Sequence, residues 1–406
     1  MKKYNNFDLH FIFDRKNEKI RFLHAEYVHP LKQELVQAFQ QDFQEDGNVK
    51  AAIVFGSGVE FRCNSYSDLD LCIERYDMEK PFSYNAGAAG EAVDVLYADR
   101  IGERLRREIE EPERFPSSYI FQLTKPGIRN PVCTLIRAKA GVCVYRVKSE
   151  GKRLILKVFE KEEDTREIQN YLILSELGIP TLPLLGYTEN AILLPDVEAS
   201  DDYRLGVEND MGDPRAARAI AKWYRALHEK GSAYLSGKEI SMYDESDVIT
   251  PENMKLVAEK TGTVGNALWQ ILRTHYSEIR SRIDSLPRTL TYNDFYRTNL
   301  IISKDQKTAF MFDYNLLGKG IAYGDIRNVT GSLSREAAEA FLEEYGDHIS
   351  GEEKRADAFI APLVTLFGAC SRDSFPSWAE PSLEELKSGG ILRHLREWTG
   401  LGAAGA

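Results

Sequence analysis

The stretch Leu290-Thr-Tyr-Asn-Asp-Phe-Tyr-Arg-Thr-Asn-Leu-Ile301, followed by Phe310-Met-Phe-Asp-Tyr-Asn315, is the part of the sequence that decides the fold. It places Asp294 five residues before Asn299 and a second aspartate, Asp313, at the end of a short apolar run. This spacing supplies one candidate base and two candidate metal ligands. Phosphoryl transfer needs little beyond positioning, charge neutralisation and a carboxylate near the acceptor hydroxyl. The stretch therefore predicts a phosphotransferase site.

Size and charge narrow the class of protein. A chain of 406 residues is too long for one ordinary core, so two or three domains are expected. The formal net charge of −11 argues against a nucleic-acid partner, because phosphate backbones attract basic surfaces. An acidic surface suits a small cationic substrate better.

Cysteine usage and hydropathy predict the compartment. The five cysteines show no paired or metal-binding spacing, which favours a reducing environment. The first residues are polar, unlike a signal peptide, and no apolar run approaches the roughly 20 residues that span a bilayer. We expect a cytoplasmic protein without a membrane partner.

Local patterns predict an α+β chain with two domains. The proline-bearing segment 110–116 is the candidate boundary, which gives a first domain over residues 1–112 and a second over 113–406. We expect the second domain to divide into an N-terminal lobe over 113–197 and a C-terminal lobe over 198–406. The predicted strands are 7–13, 20–25, 51–55, 69–73, 92–97, 133–138, 142–148, 153–159 and 191–194. The predicted helices are 30–43, 100–111, 165–177, 215–230, 264–285 and 335–345.

Polar residues at strand ends in the first domain form one candidate site. A Gly56-Ser57 turn follows a buried strand and offers backbone N–H groups and a hydroxyl to phosphates. Asp68 and Asp70 are two residues apart, so in a strand they point to the same face and are candidate metal ligands. Asp94, on a third strand, is a candidate third ligand or catalytic base.

These residues resemble the nucleotidyltransferase superfamily, which includes DNA polymerase β-like and antibiotic nucleotidyltransferases. The resemblance covers residues 30–110 and implies a mixed sheet with helices. It also implies transfer of a nucleoside monophosphate from a Mg²⁺-bound triphosphate to a hydroxyl group. One departure is that residues 59–67 lack the further glycine that many members carry. A module that binds nucleotide without turnover is therefore an open alternative.

A charged pair in the second domain forms part of another candidate site. Lys157 lies inside an apolar strand, and a buried ammonium needs a partner or a phosphate. Glu167, ten residues on at the start of a helix, is the expected partner. Such a pair would place the ammonium on the phosphates of a nucleotide.

The segment from about Cys133 to Arg327 resembles the aminoglycoside phosphotransferase and choline kinase superfamily, whose fold is bilobal and protein-kinase-like. The likeness rests on Lys157, Glu167 and the stretch over residues 290–301, which resembles the family's catalytic loop. It also rests on local runs, among which are Trp223-Tyr-Arg-Ala-Leu-His228 and Gly324-Asp325-Ile326. By this resemblance Asp294 accepts the proton of the acceptor hydroxyl. Asn299 and Asp313 hold Mg²⁺. The turn at Gly141 covers the nucleotide phosphates, and Val197 lies in the hinge beside the base.

Two positions depart from that family pattern. Tyr292 stands where most members have a histidine, two residues before the catalytic aspartate, and we expect it to pack and hydrogen-bond in the histidine's place. Asn315 stands two residues after Asp313, where many members carry an acid, which would weaken a second metal site. His228 and Asp325 are expected to be structural.

These observations predict an ATP- or GTP-dependent phosphotransferase with an N-terminal nucleotidyltransferase module. The expected acceptor is a small cationic molecule of the aminoglycoside type. A metabolic kinase of choline, ethanolamine or a sugar, with nucleotidyl activation in the same chain, is the alternative.

Overall fold

A computed structural model provides the three-dimensional structure of the chain. It describes residues 11–16, 19–21, 28, 30–59, 67–84, 93–110, 132–149, 151–238, 240–347 and 349–401. The chain divides into two compact units. The first contains Met1–Tyr171 and Leu182–Ala199, and the second contains Leu172–Thr181 and Ser200–Ala406. Most of the predicted boundary segment 110–116 lies outside the described residues, so the division at residue 112 stays a prediction.

A mixed sheet of five strands opens the first unit. Its strands are β1 (Phe11–Lys16), β2 (Lys19–Arg21), β3 (Val49–Phe55), β4 (Leu69–Arg75) and β5 (Val93–Tyr97), in the order β2-β1-β3-β4-β5. β4 and β5 are parallel and the other pairs are antiparallel. β1 and β2 form a hairpin in which Lys16 pairs with Lys19, so β1 ends later than the predicted strand 7–13.

Two helices cover this sheet, α1 (Pro30–Glu45) and α2 (Glu103–Glu110). Alternate residues of β4 point to opposite faces, as the period of a strand requires. Leu69 and Leu71 are fully buried in the core that includes α1. Cys72 packs with Ile109 of α2 in a second, smaller core. The apolar spacing of the predicted helix 30–43 places Leu31, Leu35, Ala38 and Phe39 on one stripe. Leu35 and Phe39 are buried as this predicts, but Ala38 is exposed, so its predicted place is wrong.

A second sheet of the first unit is antiparallel. Its strands are β6 (Val132–Lys139), β7 (Val142–Ser149), β8 (Lys152–Phe159), β9 (Gly186–Tyr187) and β10 (Ala191–Pro195), in the order β6-β7-β8-β10-β9. Helix α3 (Arg166–Glu176) follows β8. Alternate apolar residues of β7 and β8 form the core of this sheet, as the sequence predicts.

Helices and short strands make up the second unit. The helices are α4 (Pro214–Leu235), α5 (Pro251–Lys260), α6 (Ala267–Thr274), α7 (Tyr276–Asp284), α8 (Ala322–Ser332), α9 (Arg335–Tyr345), α10 (Gly351–Cys370), α11 (Glu380–Lys387) and α12 (Gly390–Thr399). The strands are β11 (Tyr203–Leu205), β12 (Thr289–Thr291), β13 (Leu300–Ser303), β14 (Ala309–Met311) and β15 (Gly318–Gly320). Their sheets have the orders β11-β13-β14 and β12-β15.

Helix α4 differs from the prediction at its C-terminal end. Gly231 is a helix stop in the sequence pattern, yet the helix continues to Leu235. A Cβ atom at Gly231 would lie 2.5 Å from the backbone nitrogen of Leu290. The glycine therefore allows α4 to approach β12 closely, and that contact lies directly before the loop that carries Asp294.

The predicted helix over residues 264–285 is two helices. His275 separates α6 from α7 with φ −111° and ψ 21°, outside the helical region. Leu268, Leu272 and Ile283 are nevertheless all buried in the main helical core. Apolar periodicity continued across the break, and it therefore predicted one helix. Within the described ranges, no helix combines the length and apolar composition that a bilayer crossing requires.

Candidate active site

The predicted catalytic loop, which joins β12 to β13, is held by a buried carboxylate. Asp325, on the first turn of α8, is 1% exposed. Its two carboxylate oxygens accept hydrogen bonds from the backbone N–H groups of Tyr292 and Asn293, each at 2.8 Å. Asn293 has a φ of 65°, a left-handed conformation that asparagine tolerates better than most residues. The carboxylate thus fixes the backbone immediately before Asp294.

A buried histidine supports Asp325 from α4. His228 Nε2 lies 3.1 Å from an oxygen of Asp325, and Nδ1 lies 2.8 Å from the Tyr345 hydroxyl. The Thr289 hydroxyl donates to the His228 carbonyl at 2.6 Å. These contacts agree with the predicted structural roles of His228 and Asp325.

Asp294 and Asn299, which their spacing predicts to share one site, are in direct contact. The Asn299 Nδ2 group donates to Asp294 Oδ2 at 2.9 Å. A short 3₁₀ turn over Arg297–Asn299 folds the loop back so that the two side chains meet. The amide group thereby orients the candidate base and leaves the Asn299 side-chain oxygen as an acceptor.

Tyr292 occupies the interior below the loop. It is fully buried, and its hydroxyl donates to the Phe312 carbonyl at 2.5 Å. Tyr292 thus binds the backbone directly before Asp313. Asp313 has a φ of 63°, which is unusual for a residue other than glycine. Burial raises the pKa of Tyr292 well above its ordinary value, and the neighbouring Tyr224 adds to this effect. The hydroxyl therefore remains a donor at neutral pH. The sequence pattern did not predict the positive φ.

The predicted nucleotide residues lie in the first unit. Lys157 Nζ and Glu167 Oε2 are 2.5 Å apart, and their side chains are 12% and 1% exposed. Gly141 has a φ of 89° in the two-residue turn between β6 and β7. Val197 is buried in a short 3₁₀ turn that follows β10. The pairing of Lys157 with Glu167 was expected from the apolar surroundings of the lysine.

The strand register brings together part of the N-terminal constellation. Asp70 of β4 is the partner of both Phe55 in β3 and Asp94 in parallel β5. Gly56 directly follows β3 with a φ of 62°, and a Cβ there would lie 2.4 Å from Asp70 Oδ2. The glycine therefore lets the turn approach the aspartate.

Asp68 is less closely associated with that constellation. It is exposed and precedes β4, whereas Asp94 is exposed within β5. In the described part of the chain, no group of three or more His, Cys, Asp or Glu side chains is placed to hold a metal ion. Asp68, Asp70 and Asp94 together thus do not form such a group of three within these residues.

Acidic residues around Asp325 were not identified from the sequence. Burial raises the pKa of Glu245 to about 7, and the negative charges of Asp325 and Asp357 add to the rise. Burial also raises the pKa of Asp357, although Arg327 lies 2.6 Å from its carboxylate and opposes the shift. These residues are far apart in sequence, so spacing alone carried no signal for the group.

A cavity of about 630 Å³ in the second unit does not include the catalytic loop. Its lining residues are Leu235, Lys238, Ile240, Ser241, Asp244, Asp247, Arg280, Asp284, Arg288 and Lys319. The acids and arginines there bind one another, as in the Arg288–Asp244 and Arg280–Asp284 pairs. The cavity is thus not assigned to the phosphotransferase site.

Comparison with known proteins gives one family match and several matches to solved structures. The model of the phosphotransferase enzyme family matches residues 132–359. The choline kinase LicA from Streptococcus pneumoniae is 15% identical, with 66% of this chain and 95% of that chain covered and a TM-score of 0.45. The macrolide 2'-phosphotransferase MphH from Brachybacterium faecium is 16% identical, with coverages of 65% and 96% and a TM-score of 0.42. No curated protein sequence matches the chain at a significant level.

Proposed function

The chain belongs to the phosphotransferase enzyme family and is a small-molecule kinase, and from this premise we propose that it phosphorylates a hydroxyl group of a cationic acceptor. The donor is ATP or GTP. The acceptor oxygen forms a bond to the γ-phosphorus while the bond to the β,γ-bridging oxygen breaks. The nucleoside diphosphate leaves, and the acceptor proton moves to the Asp294 carboxylate.

The observation that carries this proposal is the anchored contact between Asp294 and Asn299. The carboxylate accepts from Asn299 Nδ2 in a loop whose preceding backbone is bound by buried Asp325. A general base is effective only when it is held in a defined place near the proton that it accepts. The hydrogen bonds to Asp325 hold the backbone before Asp294 in place, and they leave the Asp294 carboxylate available to accept the proton.

The nucleotide residues support the same reaction. Glu167 of α3 binds Lys157 of β8. This ion pair holds the lysine ammonium group in a defined position. A fixed ammonium neutralises phosphate charge without the entropic cost of ordering a flexible lysine.

The side chains of Asn299 and Asp313 fit a magnesium ion. Mg²⁺ prefers hard oxygen ligands, and the pair offers an amide oxygen and a carboxylate. Because Asn299 uses its Nδ2 group on Asp294, its oxygen is the atom left for a metal. Bound Mg²⁺ would neutralise charge on the transferred phosphoryl group.

The acids around Asp325 support a cationic acceptor. Burial raises the pKa of Glu245 to about 7, and the negative charges of Asp325 and Asp357 add to the rise. A positive charge nearby would relieve their repulsion and favour the ionised form of Glu245. Amino sugars and amino alcohols carry both this charge and a hydroxyl group.

Mass spectrometry of an acceptor panel tests the kinase proposal. The protein is incubated with Mg²⁺, ATP or GTP, and aminoglycosides, choline, ethanolamine or neutral sugars. A cationic acceptor is expected to gain one phosphate. Phosphorylation of neutral sugars alone would overturn the assignment of a cationic acceptor.

Asp294→Asn is the matched catalytic control for this assay. Its loss of the base is expected to lower kcat about 10³-fold, while the dissociation constant of ATP stays nearly unchanged. An unchanged kcat would contradict the assignment of Asp294 as the base.

We also propose that the N-terminal sheet is a nucleotidyltransferase module. Its support is the alignment of Asp70 with Asp94 on parallel strands and the close approach of Gly56 to Asp70. Asp68 and Asp70 are the proposed Mg²⁺ ligands, Asp94 is the proposed base, and the Gly56-Ser57 turn is the proposed phosphate contact. An acceptor oxygen would bond to the α-phosphorus, pyrophosphate would leave, and Asp94 would take the proton.

The same panel tests this second activity. An acceptor heavier by one nucleoside monophosphate, lost in Asp70→Asn but retained in Asp294→Asn, is the expected result. Nucleotide binding that needs Asp70, with no nucleotidyl product in any reaction, would support a binding module without turnover instead.

A further inference from the structure

A short segment after β11 lies against the turn that carries Asn299. The backbone N–H of Gly206, the residue that follows β11, donates to the Leu300 carbonyl at 2.7 Å. Leu300 begins β13 and closes the 3₁₀ turn over Arg297–Asn299, because its own N–H bonds to the Arg297 carbonyl. Gly206 and the proposed magnesium ligand are therefore joined through Leu300.

Gly206 leaves the space that this turn occupies. A Cβ atom at Gly206 would lie 2.6 Å from the Arg297 carbonyl oxygen and 2.9 Å from the Leu300 Cβ. The φ of Gly206 does not lie in the left-handed range, so its backbone does not require a glycine. The glycine is needed here for space and not for its conformation.

The segment that carries Gly206 is fastened on both sides of the glycine. The buried carboxylate of Asp210 accepts two hydrogen bonds from the Arg204 guanidinium, each at 2.7 Å. The same carboxylate accepts from the Val207 backbone N–H at 2.8 Å. We name Arg204, Gly206, Val207 and Asp210 the brace. Because the brace is held by these bonds, a clash at Gly206 is relieved by movement of the turn.

We propose that Gly206 is a positioning residue that sets the place of the Asn299 side chain relative to Asp294. This inference rests on the proposed kinase function, because it takes Asn299 as a ligand of Mg²⁺. A Cβ at residue 206 displaces the Arg297 carbonyl and opens the 3₁₀ turn. The bond from Asn299 Nδ2 to Asp294 Oδ2 is then lost, and with it the orientation of the amide oxygen.

Binding of Mn²⁺, a paramagnetic substitute for Mg²⁺ with the same preference for oxygen ligands, tests this role. Electron paramagnetic resonance measures the Mn²⁺ affinity of the complex with ADP. Gly206→Ala is expected to weaken Mn²⁺ binding about tenfold, as replacement of a group that orients a metal ligand does. ADP binding without metal, measured by calorimetry, should change by less than about twofold. An unchanged Mn²⁺ affinity, or an equal loss of metal-free ADP affinity, would overturn the proposal.

Further variants separate positioning from folding. Gly265→Ala is the matched control, because a Cβ at this position of the same unit meets nothing within 4 Å. It should leave Mn²⁺ affinity unchanged. If Gly206→Ala does not fold, Arg204→Lys keeps the charge but loses the paired hydrogen bonds to Asp210, so it loosens the brace. It should weaken Mn²⁺ binding selectively by about threefold, and no loss would overturn the proposal.

Asn299→Ala separates this inference from the kinase proposal. A loss of Mn²⁺ affinity in Asn299→Ala, with none in Gly206→Ala, would overturn the role of Gly206 alone and leave the proposed metal site standing. A Mn²⁺ affinity that does not depend on Asn299 would refute the proposed metal site and this inference with it. The assay needs no acceptor, so its result does not depend on the identity of the substrate.

Discussion

The catalytic loop and the N-terminal acidic constellation use different means to place a carboxylate. Asp294 lies in a loop without regular hydrogen bonding, and the buried side chains of Asp325 and His228 organise its surroundings. Asp70 and Asp94 instead lie on paired strands, and the register of the sheet aligns them. The position of Asp294 therefore depends on a polar network of residues that are far apart in sequence. The positions of Asp70 and Asp94 depend on strand pairing and on one close glycine contact.

The largest expected effect comes from breaking the network below the loop. In the wild type, both carboxylate oxygens of Asp325 accept a backbone N–H. Asp325→Asn keeps one of these oxygens and replaces the other with an NH₂ group, which cannot accept the second hydrogen bond. Leaving such a buried donor unpaired is expected to lower stability by about 3 kcal/mol and to reduce kcat together with it. Thermal unfolding and steady-state kinetics measure the two effects.

Asp201→Asn is the control for that variant, because Asp201 is exposed in the same unit. It is expected to leave Tm and kcat near the wild-type values. Equal behaviour of the two variants would show that the loop does not depend on the buried carboxylate.

An intermediate effect is expected from the acids near Asp325. Burial raises the pKa of Glu245 from 4.5 to about 7, so the folded state binds more protons than the unfolded state between those values. Stability from this group is therefore lost as pH rises from about 4.5 to about 7. Glu245→Gln should remove that loss of stability. Because Glu245 is only partly buried, the variant should be more stable than wild type at pH 8 by about 2 kcal/mol.

Urea unfolding at pH 5 and pH 8 measures this difference. Glu252→Gln, at an exposed position on α5, should retain the pH dependence of the wild type. The same dependence in Glu245→Gln as in wild type would show that Glu245 does not titrate in this range.

The smallest expected effect sharpens the comparison at the N-terminal sheet. Gly56→Ala places a Cβ 2.4 Å from Asp70 Oδ2 at a φ of 62°. The strained backbone should cost about 1–2 kcal/mol, because the aspartate can turn aside but the peptide cannot. Faster amide hydrogen exchange in β4 is the expected readout.

Gly102→Ala provides the matched control in the same unit, because a Cβ there meets nothing within 4 Å. It should leave exchange in β4 unchanged. If Gly56→Ala also leaves it unchanged, the close approach is not needed to keep the turn beside Asp70.

The sequence alone predicted most strands and the candidate site residues, because these depend on local periodicity and short spacing. The five-residue separation of Asp294 from Asn299 was enough to predict a shared site, and the structure places the two side chains in contact. The apolar flanks of Lys157 likewise required a charged partner, and Glu167 is that partner. Their catalytic and nucleotide roles remain predictions.

Only the tertiary structure decided the features that join distant segments. Gly231 looked like a helix stop, yet it lies inside α4 because β12 approaches there, and no local pattern contains that contact. The hydrogen bond from Arg146 to Asp196 joins residues 50 positions apart. The raised pKa of Glu245 likewise depends on burial and on charges brought near by folding. Periodicity and spacing describe neighbours along the chain, whereas burial and long-range hydrogen bonds exist only after the chain has packed.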